Sequence, residues 1–79
     1  MYQVSGRQIK AARAGLNLTV REVAELSGCS TTTVKRAESG ALGMRRETLN
    51  AILATLELRG CRFFGTGVSF PPGDVMVIR

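Results

Sequence analysis

Apolar positions recur with a helical period from Val4 to Leu58, and the period is interrupted at a few residues that start or stop helices. Three segments open alike. Ser5 is followed three residues later by Gln8, the spacing of a capping box, in which each side chain meets the other residue's backbone amide. Val4 and Ile9 flank the box as a hydrophobic staple. Thr19 and Glu22 repeat the box, with Leu18 and Val23 as the staple pair, and Ser30 is a third N-cap between Cys29 and Val34. Helices are therefore predicted over residues 6–14, 20–27 and 31–39, stopped by Gly15, Gly28 and Gly40. A fourth helix, residues 46–58, carries Leu49, Ile52, Leu53 and Leu56 at i, i+3, i+4 and i+7, and ends before Gly60. Its start is the weakest, because Met44 and Arg45 are poor caps.

The pattern changes at Gly60. Cys61-Arg62-Phe63-Phe64 and Val75-Met76-Val77-Ile78 are short runs rich in strand formers, and Gly65, Gly67, Pro71, Pro72 and Gly73 punctuate the stretch between them. The two runs are expected to pair as a β-hairpin with a long connection. An isolated hairpin is marginal in water, so it must pack on the helices or pair with another chain. The expected organisation is a helical unit over residues 1–60 and a strand-forming tail over residues 61–79, the tail a candidate for dimerisation.

Seventy-nine residues suit one domain, and a chain this short buries only about 60% of the surface its unfolded form exposes. The net charge is +5, with nine Arg or Lys against five Glu in residues 1–60. A basic domain suits an anionic partner. Two cysteines, no histidine and no secretory-type apolar run point to a reducing cytoplasm, with no disulfide, structural metal or cofactor expected. Asp74 is the only aspartate and the glutamates are scattered, so an enzyme is not expected, nor is a membrane partner.

The informative stretch is TVREVAELSGCSTTTVKRAESG, residues 19–40. Two short helices meet at a glycine turn. Ala24 is small at the crossing, and Val23, Leu26, Cys29, Val34 and Ala37 are expected to face inward. Thr31, Thr32, Lys35 and Arg36 project from the other side of the second helix, a set able to bond base edges and phosphates. Cys29 and Cys61 read as packing residues, as do Phe63, Phe64 and Phe70. Arg7, Lys10 and Arg13 read as a solvated face, and Glu38 as a structural partner for a nearby arginine.

In Leu18-Thr19, Val23-Ala24, Gly28, Cys29-Ser30, Thr33-Val34, Arg36 and Glu38-Ser39-Gly40, the chain resembles the Cro and lambda-repressor-like (XRE-type) helix-turn-helix family. Glu47-Thr48-Leu49 and residues 53–58 extend the likeness to that family's next helix. The resemblance implies a mainly α, lambda-repressor-like four-helix domain, here with a short C-terminal β-hairpin. It implies base contacts from Thr31, Thr32, Lys35 and Arg36, and phosphate contacts from Thr19, Arg21, Thr33, Arg45 and Arg46. The chain departs from the family at Val20, where a phosphate-anchoring glutamine is common and Arg21 is left to take over. It departs again after Gly60, where strands replace the frequent fifth helix. The expected function is sequence-specific binding of double-stranded DNA by a transcriptional regulator, a repressor acting as a homodimer in a bacterial or phage-infected cell. The alternative is an antitoxin or adaptor whose tail docks on a protein partner.

Overall fold

The structure, a computed structural model, describes residues 4–40 and 43–70. Four helices are followed by two short strands: α1 (Gly6–Gly15), α2 (Val20–Ser27), α3 (Thr31–Ser39), α4 (Arg46–Leu58), β1 (Arg62–Phe64) and β2 (Gly67–Ser69). α1 packs on α3 and β2 and touches α4, while α2 packs on α3 and α4. Each element contributes to one core. Ile9 and Ala12, Val23 and Ala24, Val34 and Ala37, Ile52 and Leu56, and finally Cys61 and Phe63 are buried together.

The helix starts follow the sequence signals. Both capping boxes form, at Ser5/Gln8 and at Thr19/Glu22, and the Ser30 hydroxyl oxygen accepts from the amide of Thr33. At the second box the Thr19 amide donates to the Glu22 carboxylate at 2.8 Å, and the Thr19 hydroxyl oxygen accepts from the Glu22 amide at 3.0 Å. Hydrogen bonds from the Thr19 amide and, second, the Thr19 hydroxyl hold the Glu22 carboxyl below its usual range, with a small contribution from the charge of Arg59. α4 begins without a side-chain cap, as Met44 and Arg45 lead one to expect.

Gly15 is not the stop of the first helix. α1 includes it, Leu16 caps the helix, and Asn17 takes the left-handed conformation at φ 60°. Asparagine tolerates that region better than most residues. Gly15 instead makes room for the next layer, since a Cβ there would collide with the ring of Phe70. Gly6 is needed for a similar reason, because a Cβ would run into the carbonyls of Ala37 and Glu38.

The hairpin also differs. Arg62–Phe64 pairs with Gly67–Ser69, and residues 75–78, the partner expected from the sequence, lie outside the described residues. Phe64 pairs with Gly67 across a two-residue loop, and Gly65 takes φ 46°, as the first central residue of a tight hairpin turn requires. The long connection expected from the glycines and prolines overlooked this nearer closure. The hairpin gains its hold on the helices through Gln8, which is 3% exposed. Its Oε1 completes the cap by accepting from the Ser5 amide, and its Nε2 donates to the carbonyls of Gly65 and Gly67 at 3.0 and 2.9 Å.

Four further expectations are corrected. Leu26 does not face inward but is 48% exposed, because Val23 and Ala24 already fill the contact of α2 with its neighbours. Cys29 is only half-buried, its sulfur 3.1 Å from the Ser27 hydroxyl, and Phe64 is exposed rather than packed. Arg13 is not part of a solvated face. Its guanidinium forms a two-point ion pair with Glu38, one arm closing Nη2–Oε1 at 3.3 Å, and donates from Nη1 to the Leu18 carbonyl at 3.0 Å. Glu38 does have the structural partner expected of it. Cys61 is buried, and burial, aided by the charge of Glu57, pushes its thiol above the usual range, which suits a packing role.

Arg13→Ala strands the Glu38 carboxylate in a mostly covered site. It should cost about 3 kcal/mol in urea denaturation, and Arg13→Met with Glu38→Leu should recover most of that. A single-variant loss of under about 1 kcal/mol would place the pair among weak surface contacts. For Glu22 the sign follows from its lowered folded-state pKa. Its contribution is fully present above the ordinary carboxylate range and is lost as pH falls through the depressed value. Glu22→Gln keeps the reach to Thr19 without titrating. The stability of the native chain relative to this variant should therefore shrink in thermal melts as pH drops through the acid range, and a constant difference would contradict the assignment.

Candidate nucleic-acid interface

The two helices of the elbow are set at their angle by Gly28, whose φ of 75° and ψ of 28° lie in the left-handed region. Nothing crowds its missing Cβ, so the requirement is for the backbone conformation rather than for space. The amide of Cys29 returns to the carbonyl of Ala24 at 3.0 Å and tightens the turn. Ser30 then starts α3 directly, with no residue of loop to spare.

α3 is two-sided. Val34 and Ala37 are buried against α1 and α2, and Thr31, Thr32, Lys35 and Arg36 are all exposed on the opposite side. Positions i, i+1, i+4 and i+5 fall within one sector of a helix, so these four side chains form a continuous row. The row holds two hydroxyls and two cations and no carboxylate. Glu38, the only acid on α3, is drawn away from it by Arg13.

Thr33 sits at the border of that row, half-buried, its hydroxyl 2.9 Å from the Ser30 hydroxyl. Beside it opens a groove of about 350 Å³ between the starts of α3 and α4, lined by Ser30, Thr33, Arg36, Arg45 and Thr48 among others. The structure thus brings Thr33 and Arg45 together with Arg36 across one opening. Arg46 is exposed at the first position of α4, outside the lining. No side chain caps α4, so its first-turn amides keep their capacity to donate, and that end of the helix carries partial positive charge. Arg45 adds a full charge at the same end, with Glu47 the opposing acid in the first turn.

Thr19 and Arg21 lie apart from the groove, exposed at the start of α2. The Thr19 hydroxyl is engaged in the cap with Glu22. Arg21 faces Glu25 at 4.0 Å, but both side chains are more than two-thirds exposed and such a pair holds little. Val20 is half-buried and packs against the core, so its apolar side chain serves the fold where a polar one would serve a ligand.

Two groove residues, Ser30 and Thr48, are not among the DNA-contacting residues expected from the sequence. The signal for Thr48 was available, since it occupies the third position of a helix without a cap. Reading it required knowing that this end faces α3. No group of three or more potential metal-binding side chains occurs among the described residues, and no helix among them is long and apolar enough to cross a membrane.

No curated protein matches this chain. A family model described as a helix-turn-helix domain matches residues 6–62, and a domain of that kind suggests a DNA-binding regulator. The matched span begins with α1 and closes inside β1, taking in the elbow, the exposed row and the neighbouring groove, and the chain belongs to the helix-turn-helix domain family.

Proposed function

We propose that the protein is a sequence-specific regulator of transcription, a repressor, that lays α3 in the major groove of double-stranded DNA. The observation that carries this reading is the uninterrupted outward row of Thr31, Thr32, Lys35 and Arg36 on a helix whose other side is fixed in the core. A helix presented this way fits the major groove, and its early residues meet the base edges. Arg36 is suited to bidentate recognition of guanine, and the threonines to a base edge or a thymine methyl. Thr33 and Arg45 at the groove, Arg46 beside it, and Thr19 and Arg21 at the start of α2 hold phosphates. Those contacts set affinity and salt dependence rather than sequence.

The regulator acts as a homodimer in the cytoplasm of a bacterial or phage-infected cell, residues 1–60 binding DNA and residues 61–79 contributing to association. Two copies would read half-sites roughly 34 Å apart, one turn of duplex. Occupying a promoter blocks it without further chemistry.

Selection from a random duplex pool, followed by titration of the selected site at two salt concentrations, tests the reading. Arg36→Ala should weaken the selected site by roughly 1–3 kcal/mol and relax discrimination at one base pair, while Arg45→Ala should weaken all sequences alike and lower the salt slope by about 1. Equal losses on selected and random DNA would remove Arg36 from the reading row, and failure to enrich any sequence would remove the function.

A further inference from the structure

The hairpin loop decides which backbone groups β1 offers at its outer edge. A two-residue loop makes Phe64/Gly67 the hydrogen-bonded pair, so at the next pair, Phe63/Val68, the N–H and C=O of each residue turn away from the other strand. Phe63 therefore directs both groups to the outer edge of β1. No described residue bonds to either, and β2 is the only neighbour of β1 in the sheet formed by the described residues. Phe63 is 9% exposed, so little of it meets water, and unpaired backbone groups in covered places are costly. α1 packs on β2, the strand away from this edge.

The residues on either side of Phe63 both turn to the outer face. The ring of Phe64 rests one side on Gly67 and remains 57% exposed. Arg62 is exposed and has no ion pair among the described residues. A second β1 laid antiparallel along this edge, with the two Phe63 residues opposite one another, engages all of these groups at once. Phe63 of each copy exchanges N–H···O=C bonds with Phe63 of the other. Arg62 of each copy then stands opposite Phe64 of the other in a non-hydrogen-bonded pair, where side chains approach most closely. A guanidinium over the open side of an aromatic ring is attracted by it. A charge on an edge strand ordinarily discourages pairing, but in this register the opposing strand takes it up. The arrangement is two-fold, so every contact is made twice. β2 has the same edge geometry at Val68, yet Gly67 and Ser69 flank it and bring an opposing strand no such pair.

We propose that β1 is the contact between two copies of the chain: the strands pair antiparallel about Phe63 and join two hairpins into one four-stranded sheet, with Arg62 of each copy on the Phe64 ring of the other. The proposal rests on the dimeric regulator proposed above and supplies its contact. The axis relating the copies is perpendicular to the joined sheet, which keeps both sets of helices on the same face of it. Two three-residue strands make a small interface, so the dimer is weak and reversible.

Sedimentation equilibrium of the full chain over a concentration series, under reducing conditions, tests it beside two variants. The native chain should dimerise. Arg62→Glu sets a carboxylate against each ring and should weaken the dimer roughly tenfold, with helical circular dichroism unchanged. Arg62→Glu combined with Phe64→Arg places opposite charges in each pair and should recover the association. A native chain that stays monomeric, as it would if the edge served a different protein, overturns the proposal, and so does an Arg62→Glu chain that dimerises as tightly as the native one. Loss without recovery in the combined variant overturns the register. Amide hydrogen exchange reads the edge without any substitution. The Phe63 amide should gain protection as the native chain is concentrated, and protection that does not change with concentration overturns the strand pairing. DNA binding is scored separately. A dimer that prefers no duplex sinks the regulatory reading alone, and a monomer that still reads a half-site sinks this proposal alone.

Discussion

One guanidinium holds three parts of this protein in register. Arg13 projects from α1, donates to the Leu18 carbonyl in the connection to α2, and pairs with Glu38 near the end of α3. A flat, forked cation can do this where a lysine cannot, because its several N–H groups point in fixed directions. The pair lies where Gly6 lets α1 approach the carbonyls of Ala37 and Glu38. The close approach and the ion pair reinforce each other: the first excludes water, and the second satisfies the charges that this exclusion would otherwise strand. With the far end of α3 anchored to α1 and its near end fixed by Gly28 and Ser30, the exposed row is carried on a rod held at both ends.

Gln8 plays the corresponding part for the hairpin. A buried amide is tolerated only when its donors and acceptor are matched, and here the acceptor closes the α1 cap while the donors reach the loop of the hairpin. The first turn of α1 and the β-hairpin are thereby one polar unit. A two-stranded sheet too small to stand alone is fixed by a side chain some sixty positions earlier in sequence and by the inward rings of Phe63 and Phe70.

Local chemistry was legible in the sequence and long-range partnership was not. Caps, staples and the Gly28 elbow involve residues within five positions of one another, and α2 and α3 fall where those signals set them, as α4 falls where its apolar period does. The errors share a cause. Gly15 reads as a helix stop because glycine often is one, and only the ring of Phe70, far along the chain, explains it. Arg13 reads as solvated because its spacing with Arg7 and Lys10 is that of a surface face, and its carboxylate partner is 25 residues away. Gly67–Ser69 is overlooked as a strand beside β1 because it is polar-looking, yet it lies close enough to close a tight turn. For the candidate interface, the exposure of Thr31, Thr32, Lys35 and Arg36 was foreseeable from helical phase. The company of Thr33, Arg45 and Thr48 around one groove needed the angle between α3 and α4.

The separation of duties along α3 has an evolutionary consequence. Val34 and Ala37 bear on the core, whereas Thr31, Thr32 and Lys35 are exposed on the other side. Exchanges at such surface positions usually change stability by no more than about 0.5 kcal/mol. Mutation can therefore rewrite the outer chemistry of α3 one residue at a time, while every intermediate still folds. Lineages built on this scaffold are free to diverge in what they recognise without first evolving a sturdier core.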